Sequence, residues 1–100
     1  MIYEFLPEAR AEFEQAVVHY DHCGLGLGDE FTDEVEAGIR RILNQPEAWS
    51  GYHHGTRRCL TQRFPYGVVY QIRPNLILII AIAHLCREPG YWATRLTHMQ

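Results

Sequence analysis

The stretch VVYQIRPNLILIIAIAHL, residues 68–85, decides the fold because it contains two adjacent β-strands and the turn between them. Residues Val68 to Arg73 are rich in the β-branched and aromatic residues that strands favour, and Pro74-Asn75 is typical of a hairpin turn. Residues Leu76 to Leu85 are apolar at both alternating sets of positions, so we expect this strand to be covered on both faces. The sequence therefore predicts a central hairpin whose second strand is deeply buried.

Two further strands are predicted outside this hairpin. Residues Arg58 to Phe64 alternate as a strand does, and Pro65-Tyr66-Gly67 marks a turn or bulge after them. At the N-terminus, Ile2 to Phe5 has the composition of a short apolar strand. Beyond the central hairpin, Pro89-Gly90 breaks the chain, and Tyr91 to Thr97 is expected to add a short helix or strand.

Two amphipathic helices are predicted between the first strand and the others. The first begins at Pro7 and ends at Gly24, and its apolar face consists of Ala9, Phe13, Ala16, Val17 and Tyr20. The second is expected to have Asp29 as its cap and to end at Pro46, and its buried stripe consists of Phe31, Val35, Ile39, Ile42 and Leu43. The glycine-rich turn between the two makes them an antiparallel hairpin. The chain order is β-α-α-β-β-β, and 100 residues leave room for a single domain spanning residues 1–100.

Composition narrows the class of protein. Hydrophobic residues make up 47% of the chain and aromatic residues 12%, which is typical of a folded globular protein. The three cysteines show no paired spacing, which argues against a secreted disulfide scaffold and for a reduced, cytoplasmic setting. The N-terminus lacks the pattern of a signal peptide, and the apolar run from Leu76 to Ala83 is too short to cross a membrane. We therefore expect a soluble cytoplasmic protein.

Charge is distributed unevenly along the chain. Residues 1–56 carry eleven Asp and Glu against three Arg, a balance of −8, whereas residues 57–100 carry six Arg against one Glu, a balance of +5. Such a split is typical of a surface that meets an acidic partner, although two solvated faces of opposite sign would also produce it. All nine basic residues are arginines, whose planar donors suit phosphate and carboxylate contacts.

Two motifs give the chain a family resemblance. R-F-P-Y occupies residues 63–66, and H-x-x-R-x-P-x-Y-W-x-x-R occupies residues 84–95, directly after the apolar strand. With the β-α-α start, they make nearly the whole chain resemble the RelE/ParE superfamily of toxins, which includes plasmid stabilisation proteins, and the ParE-like branch in particular. The resemblance implies an α+β fold in which the helical hairpin packs on one face of a mainly antiparallel sheet of about four strands. It also implies a cognate antitoxin, whose C-terminal segment wraps the toxin.

The resemblance implies one of two activities. ParE-like members inhibit DNA gyrase by binding, and the partner or target surface would then include Arg58, Arg87, Tyr91, Trp92 and Arg95. RelE-like members are mRNA endonucleases that act on the ribosome, and they need a base, a cation and an acid around the scissile phosphate. For that alternative the candidate catalytic residues are Arg63, His84, Arg87 and Tyr91. Neither activity requires a cofactor, and the chain would be an enzyme only in the RelE-like case.

Three features favour the ParE-like interpretation. Gly67 has no side chain at a place where the RNase members often carry an arginine. The sequence pI is near 6.0, whereas phosphate contacts generally draw on a positive field. The motif of residues 84–95 is also more similar to ParE-type members. A third possibility is a decayed member that binds its partner and harms nothing.

Each candidate residue also has a structural interpretation. His84 at a strand end could simply hydrogen-bond to the backbone, and Tyr91 and Trp92 could cover the open edge of the sheet. Arg63 and Arg73 could be solvated strand residues, and Arg95 could pair with a carboxylate of the second, acidic helix.

One cluster of histidine and cysteine residues is a candidate metal site. His19, His22 and Cys23 have a spacing that can bind a metal on a helix. No residue supplies a clear fourth ligand, and His22 falls on the solvent side of the predicted helix. The sequence therefore predicts no metal.

Overall fold

The chain forms four strands, three α-helices and one short 3-10 helix (His53–Gly55) in a computed structural model that describes residues 2–97, so Met1 and residues 98–100 lie outside the described part. The elements are β1 (Ile2–Phe5), α1 (Pro7–Cys23), α2 (Leu27–Asn44), β2 (Arg57–Leu60), β3 (Tyr66–Arg73), β4 (Leu76–His84) and α3 (Ala93–Thr97). The strands form one sheet in the order β1-β4-β3-β2. Strand β1 pairs with β4 in parallel, and the other two pairings are antiparallel. The predicted α+β fold with a mainly antiparallel sheet is confirmed.

The larger hydrophobic core lies between the helical hairpin and one face of the sheet. The apolar stripe of α2 is buried as predicted, apart from Leu43, which is half-buried. Helix α1 buries only Ala9 and Ala16 completely, while Phe13, Val17 and Tyr20 of its apolar face are half-buried. On the sheet, this core is completed by Val68 and Tyr70 of β3 and by Ile77, Ile79 and Ile82 of β4.

A second core covers the opposite face of the sheet. It consists of Val69, Leu78, Ile80, Ala81, Ala83 and Trp92. The prediction that the strand after Pro74-Asn75 is covered on both faces is therefore confirmed. A bulge assists this arrangement, because Val69 pairs with Ala81 and Tyr70 with Ile79, which leaves Ile80 as an extra residue in β4.

The strand boundaries differ from the predicted ones. Strand β2 ends at Leu60 instead of Phe64, because the Thr61 side chain donates to the Phe64 carbonyl (2.7 Å) and the Thr61 N–H donates to the Tyr66 carbonyl (3.0 Å). These bonds fold residues 61–65 into a turn, and β3 then begins at Tyr66 instead of Val68. Strand β4 ends at His84, one residue before the predicted end.

The start of α2 also differs from the prediction. The helix begins at Leu27, so Asp29 lies inside its first turn and is not the cap. Asp21 of α1 has a capping role instead, since its Oδ1 accepts the Gly28 N–H at 3.0 Å. None of the described helices has the length and apolar character needed to cross a membrane.

Candidate functional site

A cleft of about 170 Å³ lies between α1 and the sheet end at which β4 finishes. Its walls come from three parts of the chain that are distant in sequence. Helix α1, the β3–β4 end and the segment after β4 contribute Glu12, Gln15, Ala16, His19, Tyr66, Ile82, His84, Arg87 and Tyr91. The cleft therefore brings together three of the predicted candidates, His84, Arg87 and Tyr91.

Glu12 holds the segment after β4 against α1. Its carboxylate accepts hydrogen bonds from Arg95 Nη1 at 2.9 Å, Arg95 Nη2 at 2.8 Å and the Tyr91 hydroxyl at 2.5 Å. The Arg95 and Glu12 side chains are only 15% and 16% exposed, so this two-pronged ion pair is largely shielded from water. Hydrogen bonding to Glu12 raises the pKa of the Arg95 guanidinium.

The same ion pair completes the hydrogen bonding of β4. Strand β1 pairs with β4 only as far as Ile79, whose carbonyl also accepts the Leu6 N–H at 2.9 Å. Beyond that point Arg95 Nη1 donates to the Ile80 carbonyl at 3.0 Å, and Glu12 Oε1 accepts the Ile82 N–H at 3.1 Å. Beyond the end of β1, the side chains of Glu12 and Arg95 thus satisfy the backbone hydrogen-bonding groups at the bulged part of β4 that no neighbouring strand reaches.

Sequence reasoning missed Glu12 and expected the wrong partner for Arg95. The prediction that Arg95 pairs with the acidic second helix is wrong, because its carboxylate partner belongs to α1. A signal for Glu12 was present in the sequence. It lies three residues after Ala9 and four before Ala16, the two fully buried residues of α1, so it is a charged residue on the buried face.

Arg87 lies over the ring of Tyr91, with its guanidinium carbon 3.9 Å from the ring centroid. The Arg87 side chain is exposed, and it forms no ion pair within residues 2–97. Burial, followed by the hydrogen bond to Glu12, raises the pKa of the Tyr91 hydroxyl. Tyr91 is therefore neutral and donates a hydrogen bond through its hydroxyl. Its ring makes a cation–π contact with the Arg87 guanidinium.

His84 has the backbone contact that the structural interpretation described. Its Nδ1 accepts the Cys86 N–H at 2.9 Å, and its ring packs against Tyr66 with centroids 5.1 Å apart. When the ring is neutral, this bond assigns the proton to Nε2. His84 thus accepts a backbone hydrogen bond through Nδ1, and its Nε2–H is a hydrogen-bond donor in a side chain that lines the cleft.

Arg63 lies outside the cleft. It is in the turn after β2, where it forms an ion pair with Glu30 of α2, and both side chains are about half exposed at 56% and 45%. Arg73 ends β3 and donates to the Gln71 side chain at 2.8 Å.

Arg58 also lies outside the cleft, on the sheet face opposite the helices. Its guanidinium carbon is 4.3 Å from the Tyr52 ring centroid, and its Nη1 donates to the Tyr52 hydroxyl at 3.1 Å. Gly67 makes room for this side chain, because a Cβ there would lie 2.9 Å from both Cγ and Cδ of Arg58.

Trp92 is part of the second core and only 1% exposed. It therefore covers the face of the sheet and not its open edge, which differs from the structural alternative considered for it. The short helix α3, which begins directly after Trp92, positions Arg95 beneath the cleft.

The histidine and cysteine cluster of α1 does not come together as a metal site. His19 Nε2 and Cys23 Sγ lie 3.6 Å apart, and His22 is exposed. Among the described residues, no group of three or more His, Cys, Asp or Glu side chains is placed to hold a metal ion.

Comparison with known proteins identifies the family. The family model described as "ParE toxin of type II toxin-antitoxin system, parDE" matches residues 3–88. A solved structure described as the chromosomal ParDE TA system from P. aeruginosa has a TM-score of 0.69 and 15% sequence identity, and the match covers 85% of this chain and 96% of that one. At that identity the structural match shows a shared fold. No curated protein sequence matches the chain significantly.

The matched residues contain β1 except its first residue, β2 to β4 and both long helices, together with Arg87, whereas Tyr91, Trp92 and Arg95 follow the matched part. Since the family model covers most of the sequence, the chain belongs to the ParE toxin family of type II toxin–antitoxin systems.

Proposed function

We propose that the chain is a single toxin domain, residues 1–100, that inhibits DNA gyrase in the cytoplasm by binding to it and is silenced by a cognate antitoxin. The observation that carries this proposal is the match of a ParE toxin family model to residues 3–88. The mode of action would be non-catalytic, so the toxin would need a protruding contact surface and no reaction centre.

The segment after β4 supplies the surface that we propose for the target. Arg87 is exposed and has no ion-pair partner within residues 2–97, and its guanidinium lies over the Tyr91 ring. Arginine and tyrosine are frequent anchors of protein interfaces, where truncation of one such side chain often costs more than about 2 kcal/mol of binding free energy. Trp92 and Arg95 would act as positioning residues, because Trp92 is in the second core and Arg95 is bound to Glu12.

A second surface suits the antitoxin. A groove of about 390 Å³ beside β2 is lined by Trp49, Ser50, Gly51, Tyr52, Arg58 and Leu60. Leu60 is 46% exposed, and Arg58 adds positive charge to this apolar floor. An amphipathic, acidic antitoxin segment would complement both properties. We therefore assign Arg58 to antitoxin binding and Arg87 to the target.

The alternative is a RelE-like endonuclease that acts on mRNA in the ribosome. The approach of His84 and Arg87 to one cleft favours it, because phosphodiester cleavage needs a proton carrier and a cation. Against it, Arg63 does not line the cleft and forms an ion pair with Glu30, and the raised pKa of Tyr91 makes that phenol a poor proton carrier near neutral pH. The Arg58 side chain also fills the space beside Gly67, so an arginine side chain at position 67 would collide with it.

The proposal is tested by inducing the chain without its antitoxin and pulse-labelling DNA and protein synthesis over the following minutes. We expect DNA synthesis to fall first, and purified gyrase to be inhibited by the purified toxin. An earlier fall of protein synthesis would support the endonuclease instead. If neither falls, the chain is not an active toxin.

Arg87 is tested in the same assay. We expect Arg87→Ala to abolish growth inhibition while antitoxin binding is retained, because Arg87 lies on the target surface and not in the groove beside β2. Arg40→Ala is the matched control, since Arg40 is an exposed arginine of α2 and should leave toxicity unchanged. Undiminished toxicity of Arg87→Ala would remove Arg87 from the target surface.

A further inference from the structure

We propose that the cleft between α1 and the end of β4 binds a phosphate group. The inference goes beyond gyrase inhibition and does not depend on it, because it concerns a small ligand that the isolated toxin would bind. It also differs from the endonuclease alternative, since it requires binding and no bond cleavage.

Hydrogen-bond donors from separate parts of the chain converge on this cleft. The end of β4 supplies His84 with a proton on Nε2, and the following segment supplies Arg87. Strand β3 supplies Tyr66, whose hydroxyl bonds to no other residue within the described range, and whose pKa is raised, chiefly by burial, so that it remains a donor. Gln15 and His19 of α1 add an amide and an imidazole at the exposed rim. A set made largely of donors selects an anion.

Among the residues that the structure describes, Glu12 is the only carboxylate that lines the cleft, and its charge is already neutralised. Glu12 accepts four hydrogen bonds, two of them from the guanidinium of Arg95. The pair of Glu12 and Arg95 therefore carries no net charge towards the cleft. Arg87 has no such partner among the described residues, so the net charge at the cleft is positive.

The size and shape of the cleft favour phosphate over other anions. Its volume of about 170 Å³ lies below the range of about 300–1,000 Å³ that is typical of pockets for whole organic ligands, so it suits one small group. A carboxylate is planar and would be satisfied by the Arg87 fork alone. A tetrahedral phosphate has oxygens that point in several directions, so it can accept hydrogen bonds from donors on separate elements, such as those that α1, β3 and the end of β4 contribute to the cleft.

The test is an amide NMR titration of the full-length toxin with inorganic phosphate, adenosine monophosphate and sodium acetate in parallel. We expect phosphate to shift the signals of residues around the cleft, and acetate at the same ionic strength to shift them far less. Tighter binding of adenosine monophosphate than of phosphate would identify a nucleotide as the source of the group. Equal binding would identify free phosphate, and either result supports the site.

Three variants locate the site. Arg87→Gln should weaken phosphate binding about tenfold, because it removes a charge-assisted contact. Gln15→Ala should weaken it about threefold through loss of a neutral donor, with no risk to the helix. Arg40→Gln removes the same charge elsewhere and should have no effect. The proposal is overturned if Arg40→Gln weakens binding as much as Arg87→Gln does, if acetate binds as well as phosphate, or if phosphate shifts no signal at the cleft.

Discussion

At the scale of single residues, two arginine ion pairs of this toxin differ in burial and should differ in their contribution to stability. Arg95 and Glu12 are 15% and 16% exposed, and each also bonds to the backbone of β4. Arg63 and Glu30 are 56% and 45% exposed, so water and salt screen their attraction. Loss of the first pair leaves shielded polar groups without partners, whereas loss of the second exposes groups that water can solvate.

Replacement of each arginine by methionine tests this difference. Arg95→Met removes two bonds to Glu12 and one to the Ile80 carbonyl, and we expect the free energy of unfolding to fall by about 2–4 kcal/mol. Arg63→Met should leave it unchanged within experimental error. Urea denaturation of both variants provides the measurement. Equal losses would show that the shielding of Arg95 is irrelevant to its contribution.

At the scale of elements, the helical hairpin depends on a close approach between the end of α1 and the start of α2. Asp21 Oδ1 accepts the Gly28 N–H at 3.0 Å, and a Cβ on Gly28 would lie only 2.2 Å from that same oxygen. The glycine is therefore required here for space, although glycine is a poor helix former. Asp21 compensates by satisfying one of the free N–H groups at the start of α2.

Gly28→Ala should destabilise the toxin by about 1–2 kcal/mol, because the methyl group displaces Asp21 and breaks its hydrogen bond. The sign should reverse in a protein that already carries Asp21→Ala. In the Asp21→Ala background the Asp21 carboxylate no longer lies beside position 28, so alanine at that position should stabilise the helix by up to about 1 kcal/mol. Thermal denaturation of the two single variants and the double variant completes the cycle. A destabilising effect of the same size in both backgrounds would show that Asp21 is not the constraint.

The sequence predicted most elements because hydrophobic periodicity is a local property. The burial of β4 on both faces and the stripe of α2 follow directly from the spacing of apolar residues. The end of β2 and the start of α2 were misplaced because side chains of Thr61 and Asp21 bond to the backbone there, which periodicity does not report.

The candidate site was less predictable for a related reason. Its central contact joins Glu12 to Arg95, which are 83 residues apart, and only the folded sheet brings them together. Three residues of the motif at residues 84–95, His84, Arg87 and Tyr91, line one cleft at the end of β4. The motif did not indicate that α1 forms the other wall.

At the scale of the whole molecule, each of the two cores contains a large aromatic side chain that is almost completely buried. Trp92 seals the second core, and Tyr70, which is fully buried, belongs to the first. The Tyr70 hydroxyl donates to the Pro46 carbonyl and so ties β3 to the loop after α2. Burial raises the pKa of Tyr70 from 10.0 to about 12, because its ionised form would lose contact with water.

This raised pKa makes stability sensitive to alkali. Above pH 10 the unfolded chain releases the Tyr70 proton while the folded chain keeps it, so unfolding becomes more favourable as the pH rises. The contribution of the neutral phenol is present in full below pH 10 and disappears as the pH rises from 10 towards 12. We expect the free energy of unfolding, measured by urea denaturation at a series of pH values, to fall across this interval.

The Tyr70→Phe variant should be about 1 kcal/mol less stable than the unchanged protein at neutral pH, because the Pro46 carbonyl loses its donor. Its alkaline decline should be shallower but not absent, since the pKa of Tyr91 is also raised by burial. Parallel declines for the two proteins would show that Tyr70 ionises as readily in the folded chain as in the unfolded one.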